Sequence, residues 1–305
     1  MSKDVTNIAA SVRQRLLNLA RERNEDFGLV LTKYALERVL FRISASKHRD
    51  VFVLKGALLF ELWTAQRHRP TRDADFLARG ENTPQRFNTI FKGICNEKVT
   101  DDGLRLDPGS VTAEQIKEDA DHRGVRVNFL GYLENARIPI QIDIGFGDTV
   151  TPPAKEAEFP TLLDFPAPTL LTYPRESVVA EKFEAMVKLG IANSRMKDFH
   201  DLRVLCREFS FNGPVLSEAV SNTFKRRGTA LPSSTTFVTF LAEFYGDEHK
   251  KQQWSAFCNK NKLYITEVSL ETVCRNIEEF LMPIAHALSR NQALELTWNP
   301  TGPWS

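Results

Sequence analysis

A chain of 305 residues, 42% of them hydrophobic, can bury two compact cores, and its formal charge of +1 excludes bulk electrostatics as a means of holding nucleic acid or membrane, so a nucleic-acid partner would need a local patch. The opening MSKDVTNIAA lacks the apolar run of a secretory signal, and the longest apolar stretch, residues 51–60, is broken by Lys55; both argue for a cytoplasmic protein without a membrane span. Cys95, Cys206, Cys258 and Cys274 form no C-x-x-C pair and have no histidine at zinc spacing, which excludes a disulfide framework and a structural zinc site.

Apolar residues recur at helical spacing over about residues 12–44, as one helix ending at Gly28 and a second in VLTKYALERVLFRIS. Residues 51–54 predict a short strand, Lys55-Gly56 a turn, and residues 57–63 a helix. The stretch RPTRDADF follows. Residues 71–77 predict a second strand, whose alternation lines Arg69, Thr71, Asp73 and Asp75 along one face. A helix is expected near residues 84–95. GVRVNFLGYLE then alternates Val125, Val127 and Phe129, and ARIPIQIDIGFGD sets Ile138, Ile140, Ile142 and Ile144 against Gln141 and Asp143, an antiparallel pair by pattern. Six prolines within residues 151–174 mark an interdomain connection. Beyond it the chain reads as helical, with Pro174 at a helix N-terminus, Glu176 in its first turn and Gly190 as its C-cap. The expected domains are residues 1–165, a nucleotide-handling domain with the sheet and the N-terminal helices, and residues 166–305, an almost wholly α-helical domain.

Two aspartates two residues apart in an otherwise apolar strand raise each other's pKa unless they are exposed or share a cation. In a chain with 26% charged residues, D-x-D is a weak signal by itself. Three features strengthen it. Lys55-Gly56 is a strand-to-helix turn at which a glycine lets backbone N–H groups approach a phosphate. Asp143 lies opposite the isoleucine face, where a third carboxylate can join the first two. Downstream stand Lys182 in VVAEKFEAM and the charged run RMKDFHD, residues 195–201. Three carboxylates on adjacent strands suit phosphoryl or nucleotidyl transfer with two metal ions, and hard Mg²⁺ prefers carboxylate oxygen. The protein must then supply positioning and positive charge for a triphosphate.

The segments LKGALLFELW, RPTRDADF, IPIQIDIGFGD and PAPTLLTYPRESVVAEKFEAMVKLGIANSRMKDFHDL, followed by RRGTALP, carry the motifs R-x-T-x-D-x-D, I-D-I-x-F-G-D and R-x-K-D-x-x-D-L in order. Over roughly residues 51–231 they closely resemble the AbiEii/AbiGii toxin family of nucleotidyltransferases, the group that includes the mycobacterial MenT toxins. The resemblance implies an α+β fold: a polymerase-β-like nucleotidyltransferase domain with a mixed sheet, followed by an α-helical domain. It also implies an NTP co-substrate, Mg²⁺ as cofactor, RNA acceptors such as tRNA 3′ ends, and a toxin whose partner is an AbiEi-like antitoxin. By the same resemblance Asp73, Asp75 and Asp143 are the metal ligands, with Asp143 nearest the attacking hydroxyl. Lys182 holds the triphosphate and Asp201 joins the catalytic set. Lys55, Gly56, Arg69, Thr71, Arg195, Lys197 and Asp198 are the nucleotide- and phosphate-binding candidates. One departure is Gly56-Ala57 where members commonly have Gly-Gly or Gly-Ser, which removes a hydroxyl able to touch phosphate.

Plainer readings stand beside these. Lys182 shares a helical line with Val178, Ala185 and Leu189 and can snorkel to water. Asp198 and Asp201 can cap a helix or pair with Arg195 or Arg203. Arg72 is off the aspartate face, solvated or paired; Asp148 suits a turn and His200 a packed or exposed helix position. Lys225-Arg226-Arg227 is a solvated run or an RNA-backbone contact. For the whole protein, the alternatives are NMP transfer to a protein side chain and a non-enzymatic binding protein with a relic site.

Overall fold

Local capping decides where the first elements begin and end. In the computed structural model, which describes residues 7–64, 68–117, 123–232, 237–262, 264–266 and 268–305, helix α1 (Ile8–Arg23) starts where the Asn7 side chain accepts from the Ala10 N–H and stops at Asn24 in the left-handed region, φ 52°. The expected stop at Gly28 is therefore wrong. Asp26 accepts from the Leu29 N–H at 2.8 Å and caps α2 (Phe27–Ala45), placing Gly28 inside the next helix.

The chain packs as two units, Met1–Gly147 with Lys155–Thr172, and Asp148–Ala154 with Tyr173–Ser305. In the first, β1 (Phe52–Lys55) runs through a short 3-10 turn into α3 (Leu59–Trp63), and β2 (Asp73–Ala78) leads to α4 (Pro84–Cys95). The strands β3 (Leu104–Lys117), β4 (Arg123–Leu133), β5 (Ala136–Phe146), β6 (Lys155–Glu158) and β7 (Thr169–Thr172) follow. They form one mixed sheet in the order β3-β4-β5-β2-β1-β7-β6, with β2/β5 and β1/β7 parallel. The proline-rich stretch contains two strands, and β7 joins the sheet beside β1 because Leu170 and Thr172 bury while the prolines fall outside both strands.

One face of this sheet is apolar. Val125, Val127 and Phe129 of β4, the four isoleucines of β5, Ala74 and Phe76 of β2, and Phe52 and Leu54 of β1 are buried. Phe91 of α4 meets Phe52 and Phe129 with ring centroids 5.8 Å apart in each case, and Phe87 reaches Phe146 at 5.5 Å. Burial at roughly 25 cal/mol per Å² of apolar surface holds the alternation in register, since a one-residue slip would put every isoleucine in water.

An ion pair and a hydrogen bond from a backbone amide fix α2 within the unit. Arg42 donates to both oxygens of Asp102 at 2.7 and 3.0 Å and to the Leu104 carbonyl at 3.0 Å, while the Tyr34 hydroxyl donates to the Asp102 carbonyl at 2.6 Å. Glu37 accepts from the Leu162 N–H at 2.6 Å and lies 3.1 Å from Arg38 Nε.

The second unit is helical: α5 (Arg175–Leu189), α6 (Met196–Glu208), α7 (Gly213–Arg227), α8 (Ala242–Tyr245), α9 (Glu248–Lys260) and α10 (Leu270–Ser289). A two-stranded ribbon of β8 (Phe211–Asn212) and β9 (Thr297–Trp298) accompanies them. Pro174, Glu176 and Gly190 occupy the N-cap, first turn and C-cap of α5 as the sequence implies. Among the described residues, no helix is long and apolar enough to cross a membrane.

Burial pushes the Glu37 carboxyl up to about 7, partly offset by the Leu162 amide and Arg38. Between the ordinary value of about 4.5 and this one, the folded state keeps a proton that the unfolded chain has released. Stability therefore falls as pH rises through that window, by up to about 3 kcal/mol. Glu37→Gln should flatten this part of the profile, as read from urea denaturation across the window; an unchanged slope would show that Glu37 is not its source.

Candidate active site

The polar face of the sheet carries its charges in register. Lys55 on β1 lies opposite Asp75 on β2, Asp75 opposite Asp143 on β5, Asp143 opposite Arg126 on β4, and Arg126 opposite Glu114 on β3. Directly opposed residues share a sheet face, so a single rung reads Lys55, Asp75, Asp143, Arg126, Glu114 across five strands. The next rung on the same face is Asp73, Gln141, Asn128, Thr112. Asp75 and Asp143 thus stand on neighbouring strands about 5 Å apart, with Asp73 one rung away.

Like charges directly opposed destabilise a sheet, and cations flank these two. Arg126 grips Asp143 bidentately, Nε to Oδ1 at 2.8 Å and Nη2 to Oδ2 at 2.7 Å, and Gln141 adds a third donor at 3.2 Å. The hydrogen bond that Arg126 donates to Asp143, with the further pull of Asp143, Asp73 and Glu114, raises the Arg126 pKa above its ordinary value against a smaller opposing effect of burial. No local sequence signal marks Arg126; only strand register brings it to Asp143.

Gly56 has φ +76°, and a Cβ there would fall 2.1 Å from Asp75 Oδ2. A left-handed turn and close approach of the Asp75 carboxylate both require glycine at the end of β1. The expected strand face is corrected at its start: β2 begins at Asp73, so Arg69 and Thr71 precede the strand. Thr71 still belongs to the group, because its hydroxyl hydrogen-bonds the Asp73 carboxylate. Asp73, Asp75 and Asp143 offer hard oxygen donors on one face, the donor type that Mg²⁺ takes, with both Asp143 oxygens held by Arg126.

In the helical unit, Lys182 of α5 donates to Asp198 Oδ1 at 2.7 Å and Asp201 Oδ2 at 2.8 Å, both on α6. Arg195 Nε lies 2.6 Å from the other Asp198 oxygen. Burial alone would raise the Asp198 pKa; Lys182 and Arg195 outweigh it and hold the carboxyl below the usual range. Lys182 is therefore an ion-pair centre rather than a snorkelling stripe residue. Lys197 is exposed, and His200 is buried with its ring against Phe257. Arg227 does not extend a solvated basic run: its side chain is 11% exposed and meets Asp148 at 3.0 Å, Glu184 at 2.9 Å and Glu181 at 3.6 Å.

A family model described as "Nucleotidyl transferase AbiEii toxin, Type IV TA system" matches residues 38–276. No curated protein sequence matches the chain. Among solved structures, a Helicobacter pylori protein described as a nucleotidyltransferase is similar at 15% identity, over 85% of this chain and 95% of that one, with a TM-score of 0.49. JHP933 from Helicobacter pylori is similar at 15% identity, over 84% and 95%, with a TM-score of 0.45.

Gly56→Ala should lower the unfolding free energy by about 1–3 kcal/mol through backbone strain and displacement of Asp75; a thermal melt matching the wild type would show that the turn relaxes freely. Lys182→Ala leaves two buried carboxylates without their shared cation and should cost about 3–5 kcal/mol, measured by urea denaturation. Loss of activity in that variant must be compared with this loss of stability.

Proposed function

The chain belongs to the AbiEii nucleotidyltransferase toxin family of type IV toxin–antitoxin systems, and on that premise we propose that it transfers a nucleoside monophosphate from an NTP to an RNA 3′ end, a tRNA in the first instance, and so blocks translation. Membership makes it a nucleotidyltransferase with an NTP substrate and an antitoxin counterpart. The finer proposals are the RNA acceptor, Mg²⁺, an AbiEi-like antitoxin and action in the cytoplasm. The observation that carries the reading is the pairing of Asp75 with Asp143 on parallel strands, with Asp73 on the same face.

In the reaction a ribose hydroxyl oxygen bonds to the α-phosphorus, and the bond from that phosphorus to the bridging oxygen breaks. Pyrophosphate leaves with the electron pair, and the hydroxyl proton passes to solvent. Asp73, Asp75 and Asp143 would hold Mg²⁺, which supplies Lewis-acid charge for the triphosphate and lowers the pKa of the hydroxyl. Arg126 and Gln141 fix the orientation of the Asp143 carboxylate through three hydrogen bonds. Thr71 does the same for Asp73. Lys55, at the β1 end of the rung and beside the Gly56 turn, contributes positive charge on the side opposite Arg126. In the helical unit, Asp198 and Asp201 fix the position of Lys182, the candidate triphosphate cation, and offset its charge.

The test is label transfer from each of the four α-labelled NTPs, with Mg²⁺, onto total RNA and onto total protein, beside an Asp73→Ala, Asp75→Ala double variant. Label in tRNA-sized RNA, dependent on one nucleotide and reduced to background in the variant, is expected. Label confined to protein would replace the RNA acceptor by a protein side chain. Absence of variant-sensitive label from both pools, with folded protein, would overturn the reading.

A further inference from the structure

The same sheet face continues beyond the carboxylates toward the start of β5. Alternate residues Arg137, Pro139, Gln141 and Asp143 share that face, so a path of about 20 Å runs from Arg137 to Asp143. Its far rung is Arg105 on β3, Tyr132 on β4 and Arg137 on β5, with the Arg105 guanidinium 4.5 Å from the Tyr132 ring centroid. The intervening rung places Leu130 beside Pro139, and its acid, Asp107, accepts from the Gly109 N–H at 2.9 Å. A cleft of about 560 Å³ adjoins this path at Asn128, Arg137 and Gln141 and also reaches Thr32, Arg72 and Ile140 of the apolar side. Arg72 and Arg137 are exposed, and neither has an ion-pair partner among the described residues.

We propose that this cleft, with Arg72 and Arg137 as its phosphate ligands, binds the single-stranded 3′ end of the RNA acceptor and leads it to Asp143. The proposal rests on the RNA-acceptor reading above and adds to it a site and a direction. Three observations favour a polynucleotide strand. Guanidinium groups without carboxylate partners fit phosphodiesters. Leu130 and Pro139 offer an apolar floor for bases, and the amides of Asn128 and Gln141 can donate to and accept from base edges. The third is lateral order: Lys55 and Gly56 lie on the β1 side of Asp75, whereas the cleft lies on the β4–β5 side of Asp73. A triphosphate attended by the β1 turn leaves the β4–β5 side to the strand that supplies the hydroxyl.

The experiment measures binding of a 5′-fluorescein-labelled, unstructured single-stranded RNA of about 12 nucleotides, a length within the footprint of single-strand sites, to the full chain by anisotropy over a salt series. Alongside it, the Michaelis constants for RNA and for NTP are measured separately. Arg72→Ala, Arg137→Ala should weaken RNA binding at least tenfold, and the log–log salt slope should shrink by about 1.4, at about 0.7 for each single-strand phosphate that the variant no longer neutralises. The RNA Michaelis constant should rise by a similar factor while that for NTP stays within twofold. Arg72→Glu, Arg137→Glu should bind more weakly still; circular dichroism verifies the fold of both variants. Wild-type affinity and salt slope in the double variants would overturn the proposal even where label reaches RNA. RNA binding that depends on these arginines, with label found only in protein, would leave the surface standing and remove the acceptor reading. Absence of RNA binding by the wild type would overturn the proposal outright.

Discussion

The bidentate contact between Arg126 and Asp143 is the constraint on which the candidate site depends. Without it, the central strands of the sheet would oppose two carboxylates directly, at a separation where like charges repel. Supplying the cation from β4 lets β2 and β5 pair in the parallel register that brings Asp75 beside Asp143. Removing one partner of such a part-buried pair leaves the other uncompensated, a cost of about 3–5 kcal/mol in buried examples, lessened here by the 35% exposure of the Arg126 side chain. The same pair limits the freedom of the Asp143 carboxylate. Folding and preorganisation therefore rest on one contact.

The helical unit applies a similar rule with opposite signs. There, two carboxylates surround one cation at Lys182, and three surround another at Arg227. Burial would lower the pKa of Arg227, but Glu181, Asp148 and Glu184 together raise it. Each centre ties separate segments of the unit: α5 to α6 through Lys182, and α5, α7 and the Asp148 segment through Arg227. Charged residues that a linear reading assigns to solvent thus serve as internal fasteners.

Whatever carries a local period is legible in the sequence. The four isoleucines of β5 announce a strand with one buried face, and Pro84 announces the start of α4 to the residue. The D-x-D of β2 and the third aspartate of β5 are visible for the same reason, and family motifs add the rest of the residue set. Strand β3 escapes a linear reading because Pro108 and Gly109 look like a turn; they lie at an irregularity, where the register with β4 shifts between Asp107 and Thr112. Strand β7 escapes it because four residues among prolines carry no period, and its partner β1 lies more than a hundred residues earlier. Arg126 and the Arg105–Tyr132–Arg137 rung are invisible in the sequence because they exist only as cross-strand neighbours.

The course of the chain bears on inheritance as well as on folding. It passes from the sheet unit to the helical unit after Gly147, returns at Lys155 and leaves again after Thr172. A cut anywhere in this stretch strands part of one unit on the wrong fragment; loss of Lys155–Thr172 would expose β1 as an open edge, able to pair with another chain. Neither half can be exchanged as a contiguous cassette. Recombination that shuffles whole domains between toxins would have to move both units together, so the helical unit with its Lys182 centre and the sheet unit with its carboxylate rung are bound to a common evolutionary fate by connectivity alone.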